Sequence, residues 1–162
     1  MSSVGDMFLA LEPRFFLHGL ISFLIGHLFY IALFYRHRAE VMTAGHKGIA
    51  VIFALYGIAL VGWMYPSLGP MTAPVIVYAA VLLGMGVAAR FADFGSPIVF
   101  GGALLFIASD SAIAINKFHL PIEGIGYFIW IAYYLAQLAI TLGVAKHLTA
   151  RGNDEAKDEV AQ

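Results

Sequence analysis

The chain contains no cysteine. That excludes a disulfide framework, a thiolate zinc site and a cysteine nucleophile, and it leaves the compartment open. Charge is almost as scarce: Asp, Glu, Lys and Arg make up 12% of 162 residues, against roughly 25% in soluble domains. Nine basic residues against ten acidic ones leave a net charge of −1, so there is no basic surface for nucleic acid. What is abundant is apolar mass, at 61% of residues with a mean hydropathy of +0.85. This balance excludes a disordered chain and speaks against a water-soluble globule. It points to a polytopic membrane protein with little mass outside the bilayer.

Five apolar blocks are long enough to span: residues 15–35, 48–65, 71–89, 97–116 and 124–145. A spanning helix needs about 20 such residues. The runs are continuous and do not alternate with period two, so they predict helices and not barrel strands. Lipid offers the backbone no partners, which favours a helical bundle. The expected fold is therefore all-α: a transmembrane bundle over residues 1–147, with five full spans, and a polar, disordered cytoplasmic tail over 148–162. Residues 1–11 are apolar apart from Ser2, Ser3 and Asp6. They cover only about half a bilayer core at ~1.5 Å per residue. They read as a partial helix, either half-inserted or missing its beginning.

Arg36, Arg38, Lys47, Arg90, Lys146 and Arg151 all fall in alternate loops or the tail, and only Arg14 and Lys117 lie on the other side. The positive-inside rule places the first group in the cytoplasm. Two carboxylates sit within apolar segments, Asp6 and Asp110. An acid at mid-helix costs ~2.5–3.5 kcal/mol on insertion scales, so each needs a reason. Counting from Glu12 and from Asn116, both acids lie ~9 Å inside the non-cytoplasmic end. Two carboxyls in one poorly solvated pocket do not both ionise, which supplies an acid and a base. The bland alternative is two separate acids, each bonded to a nearby Ser, Tyr or backbone group. A proton path would use the same residues.

His18 and His27 share a helix nine residues apart, hence on opposite faces, and cannot easily bind one metal. No His-x-x-x-His pattern or acidic ligand cluster is present, so neither a metal nor another cofactor is expected. His18, near the depth of the acids, is the better site candidate; His27 reads as a packing residue. Small residues four apart, such as Ala139 and Gly143, predict close helix contacts. In the last block Trp130, Tyr133 or Tyr134, Gln137 and Thr141 form a polar stripe, expected to face the bundle interior. Tyr30, Tyr65 and Tyr127 read as interface anchors.

Three segments resemble the lysoplasmalogenase-like (YhhN) family of membrane proteins. One is the stretch from Gly102 to Phe118 around Ser109 and Asp110. Another is the Phe-x-x-x-His-x-x-Tyr pattern of Phe23, His27 and Tyr30. The third is the Ser-x-x-Gly-Asp run from Ser2 through Gly5 to Asp6. The resemblance extends to about Lys146. It implies an eight-helix family fold, of which this chain lacks the first two helices and part of the third. It also implies hydrolysis of the vinyl-ether bond of lysoplasmalogens to a fatty aldehyde and a glycerophospho-alcohol. The family aspartates correspond to Asp6 and Asp110, expected to be catalytic. Substrate contacts are expected from Ser109, His18, His27, Asn116 and Gln137. The implied partners are a lysolipid substrate and membrane lipids, with a homo-oligomer left open and a bacterial inner membrane as the location. A proton-coupled transporter and a non-enzymatic membrane subunit are the alternatives.

Overall fold

The computed structural model describes residues 16–39 and 44–160. The described chain is helical, with no strand among the described residues beyond an isolated bridge between Arg38 and Ala92. Five long helices follow in order: α1 Phe16–Arg36, α2 Ala44–Leu68, α3 Thr72–Phe91, α4 Ile98–Phe118 and α5 Ile125–Val160. A short 3-10 turn, Gly69–Met71, separates α2 from α3. Counted as uninterrupted stretches, four among the described residues are long and apolar enough to cross a membrane, not five. The reason is local. The second stretch, Gly45–Phe91, runs 47 residues because the 3-10 turn joins the blocks at 48–65 and 71–89 without a break. It nevertheless folds back on itself. Gly57 lies against Leu83, Phe53 against Gly86, and Met64 packs with Val75. The reversal falls at Gly69, whose φ of +50° suits a residue without Cβ, followed by Pro70.

The other breaks have equally local causes. Ala92 leaves α3 in extended geometry, and Pro97 caps the start of α4. Gly124, at φ +78°, precedes α5. The tail expected to be disordered continues α5 as helical backbone to Val160; Ala and Glu, which recur in it, are good helix formers.

The two ends of the bundle differ. At one, the loops after α1 and α3 are laced together: Ala39 N–H donates to the Phe91 carbonyl and Asp93 N–H to that of His37, both at 2.8 Å. Arg90 donates to His46 Nε2 at 3.0 Å there. At the other, the Phe16 and Phe118 rings meet edge to face and Lys117 lies over Phe16. Helices α1 and α4 are therefore antiparallel. The interior is a cluster of Phe23, Phe34, Met85, Phe106, Ala136 and Ile140 with their neighbours. Outside it, Ile58, Phe29, Trp130 and Tyr127 are 65–81% exposed. That is a surface made for lipid tails, not water. Only α4 has half of its apolar span buried, so it forms the centre around which the others pack. Small residues let α5 close on it: Gly102 lies under Ala136, Ala139 and Ile140.

Candidate active site

Consecutive helical residues point about 100° apart, so three polar residues in a row reach three directions. In α4, Ser109, Asp110 and Ser111 do this, and all three are buried. Ser109 Oγ donates to the Ile129 carbonyl of α5 at 3.1 Å. Asp110 accepts a short hydrogen bond on Oδ2 from the Tyr78 phenol of α3, and His27 Nε2 of α1 stands 3.7 Å from the same oxygen. Ser111 Oγ accepts from the Tyr56 phenol of α2 at 2.8 Å and donates to the Ile107 carbonyl at 2.6 Å. One triplet thus makes polar contact with each of the other four long helices described.

His27 is fixed from two sides. Its Nδ1–H donates to the Phe23 carbonyl at 2.7 Å; a carbonyl only accepts, so the hydrogen is on Nδ1 and Nε2 offers a lone pair. Its ring is held edge-on against Phe106 and Tyr78, at 5.0 and 5.6 Å. A cavity of about 60 Å³ opens beside Asp110, Ser111 and Tyr78, and apolar Phe16, Met64 and Phe118 carry its wall toward the Phe16–Phe118 end. It has room for the water that hydrolysis consumes. A carboxyl oriented by a phenol and facing an imidazole lone pair, at the edge of such a cavity, is equipped for proton transfer.

The expected site residues are distributed as follows. Asp110 is in the site. Asp6 lies outside the described residues. His27, read from spacing as a packing residue, meets Asp110. His18 is exposed on the opposite face of α1, near the end where Phe16 meets Phe118. Ser109 ties two helices together. Asn116 Oδ1 accepts from Ile122 N–H at 2.8 Å and shapes the loop after α4. Gln137 Oε1 accepts from the Tyr30 phenol at 2.6 Å, which makes Tyr30 an interhelical link and not an interface anchor. Tyr65 and Tyr127 are exposed. The polar stripe of the last block divides: Tyr133 is buried, whereas Trp130, Tyr134 and Thr141 face outward. Tyr78 and Tyr56 were missed. Each is the lone mid-span phenol of its block, and a phenol in lipid needs a partner; that signal was available.

The YhhN family matches residues 1–144. The chain belongs to that family. It is 34% identical over 148 residues to the lysoplasmalogenase of Mycobacterium tuberculosis, covering 88% of this chain and 57% of that protein. It is 35% identical over 155 residues to human lysoplasmalogenase TMEM86A, covering 90% of this chain and 62% of the human protein. Human lysoplasmalogenase TMEM86B is 31% identical over 146 residues, with 90% and 60% covered. The chain thus spans about three-fifths of the length of these relatives. No solved structure matches it. The family assignment and the apolar helices make it an integral membrane protein.

Proposed function

We propose that this protein hydrolyses the vinyl-ether bond of lysoplasmalogens, the activity for which its relatives are named, with Asp6 and Asp110 as its acid–base pair. A vinyl ether is cleaved by proton delivery to its β-carbon, which leaves an oxocarbenium ion. An ionised second carboxyl stabilises that cation and directs water onto it, and the hemiacetal collapses to aldehyde and alcohol. The observation that carries the reading is Asp110. It is 6% exposed, oriented by Tyr78 and set at the edge of a mostly apolar cavity. It lies eight residues before the end of α4, ~12 Å along the helix axis. A lysolipid whose headgroup stays at the interface brings its first chain carbons to that depth.

The distribution of Lys and Arg favours a cytoplasmic location for the end that holds Arg38, His46 and Arg90. The catalytic end then faces outward from a bacterial inner membrane. The test is incubation of purified protein with 1-alkenyl lysophospholipid, with the 1-acyl analogue alongside. Aldehyde release from the alkenyl lipid alone is expected. Absence of aldehyde, or equal turnover of the acyl lipid to fatty acid, refutes the reading.

A further inference from the structure

Among the described residues, His27 Nε2 is the one buried side-chain nitrogen or oxygen without a hydrogen-bond partner. His27 itself is 2% exposed. A buried acceptor left empty costs about 1–3 kcal/mol, and several neighbouring hydrogens are already engaged. The Tyr78 hydrogen goes to Asp110, that of Tyr56 to Ser111, that of Ser111 to Ile107 and that of Ser109 to Ile129. The His27 ring hydrogen goes to Phe23. Facing the empty acceptor, 3.7 Å away, is the carboxyl of Asp110. That distance exceeds a hydrogen bond, yet a bridging water would need roughly 4.5 Å. A small rotation of the carboxyl closes the gap, and resting-state catalytic hydrogen bonds are often long.

From this geometry we infer that Asp110 carries the reactive proton of the site and that His27 Nε2 is the positioning base that holds it there. The inference rests on the hydrolase reading and deepens it, because it says which carboxyl is the acid. An ionised Asp110 would set a carboxylate against a lone pair. The ion pair with a protonated His27 would place two charges in the membrane interior, where desolvation outweighs attraction unless every hydrogen bond is made. A neutral acid donating to a neutral imidazole avoids both penalties. Tyr78 holds Oδ2 at the same time, so the O–H is fixed in direction.

In turnover Asp110 gives its proton to the β-carbon, and a carbon–hydrogen bond forms as the oxygen–hydrogen bond breaks. The oxygen of water then bonds to the cation, and its proton returns to Asp110, whose carboxylate is unfavourable while it faces Nε2. The carbon–oxygen bond to the glycerol breaks as the hemiacetal proton passes to the glycerol oxygen. His27 touches no reacting atom; it returns Asp110 to its acid form.

The experiment is infrared difference spectroscopy of the purified protein in lipid nanodiscs at pH 7, run beside the aldehyde assay. Wild type minus Asp110→Asn should show a carboxylic-acid carbonyl band. His27→Asn keeps a donor within reach of the Phe23 carbonyl and places nothing at Nε2, so the band should move to higher frequency. His27→Gln restores an acceptor at that level and should bring the band back toward wild type. In the assay, His27→Asn should lower kcat by about tenfold or more, below the full contribution of a general acid, with KM within about twofold. A missing band, or one indifferent to His27→Asn, overturns the inference even where aldehyde is formed. The expected band shifts without any aldehyde from wild type would support the proton placement and refute the hydrolase reading. The Asp110→Asn difference alone reports the proton should the His27 variants not accumulate.

Discussion

Replacing Asp110 with Asn separates the chemistry of the site from its architecture. Asn presents one oxygen and one NH2 group in the outline of a protonated carboxyl. Its oxygen, in the place of Oδ2, keeps an acceptor for Tyr78, so at most the donor toward His27 Nε2, which faces that same oxygen, is lost. Stability should therefore change by less than about 1 kcal/mol. The variant has no acidic proton, and loss of a general acid costs about 10²–10⁴ in rate, or about 3–5.5 kcal/mol in the barrier. Asp110→Ala is the contrasting variant. It leaves the Tyr78 hydroxyl and His27 Nε2 facing a void, at about 1–3 kcal/mol for an unsatisfied buried group. At ~2–4 °C per kcal/mol for chains of 150–250 residues, it should melt several degrees lower. Aldehyde release measured beside thermal unfolding in detergent decides the matter. Aldehyde release by Asp110→Asn near the wild-type rate would remove Asp110 from the mechanism. An Asn variant that melts as low as the Ala variant would show that Asp110 is held chiefly as an ionised group, against the hydrogen-bond count given above.

Four further outcomes are expected. Asp6→Asn should also abolish aldehyde release, and the double Asn variant should be no slower than either single one by more than a small factor, because residues acting as a unit are non-additive; multiplied losses would indicate separate roles. Tyr78→Phe should lower kcat and destabilise by about 0.5–1.5 kcal/mol, the net value of one hydrogen bond, read from the same assay and melt. A Cβ at Gly102 would come within 2.8 Å of Ile140 Cγ1 and 2.9 Å of the Ala136 carbonyl, so Gly102→Ala should cost about 1–3 kcal/mol, while Gly101→Ala, with nothing within 4 Å, should be neutral or stabilising by up to about 1 kcal/mol; equal melting of the two would contradict the packing of α4 on α5. A topology reporter fused after Ala89 or at the C-terminus should read cytoplasmic and one at His119 external, and the reverse at His119 would invert the orientation.

The apolar blocks, their helical state and the burial of Asp110 were legible in the sequence because lipid leaves the backbone so few choices. Which histidine meets the acid was not. Depth counted from Asn116 favoured His18, but α4 runs on to Phe118 and α1 is antiparallel to it, with Phe16 opposite Phe118. Asp110 therefore stands across from His27, and that register depends on which side chains interlock, which a hydropathy profile does not contain. The polar stripe failed for a related reason. Residues three and four apart share only a broad face, and the close approach of Ala136 and Ile140 to Gly102 sets which edge of that face turns inward, admitting Tyr133 and leaving Trp130 and Tyr134 edge to face on the outside. Tyr78 and Tyr56 were visible as isolated phenols, but their partners became identifiable only once three helices were seen around α4.

The fan of Ser109, Asp110 and Ser111 makes the length of α4 an inherited constant. One residue inserted between Pro97 and Ser109 would turn the triplet by about 100° relative to the start of the helix. Asp110 would then point where one of its serine neighbours had been, and the phenols of α2 and α3 would face the wrong partners. A deletion does the same in the opposite sense. This helix can vary by exchange of side chains far more readily than by gain or loss of a residue, whereas the loops at its ends are free to change in length. Among relatives, gaps in alignment should therefore fall outside the stretch from Ile98 to Phe118, even where identity within it is low.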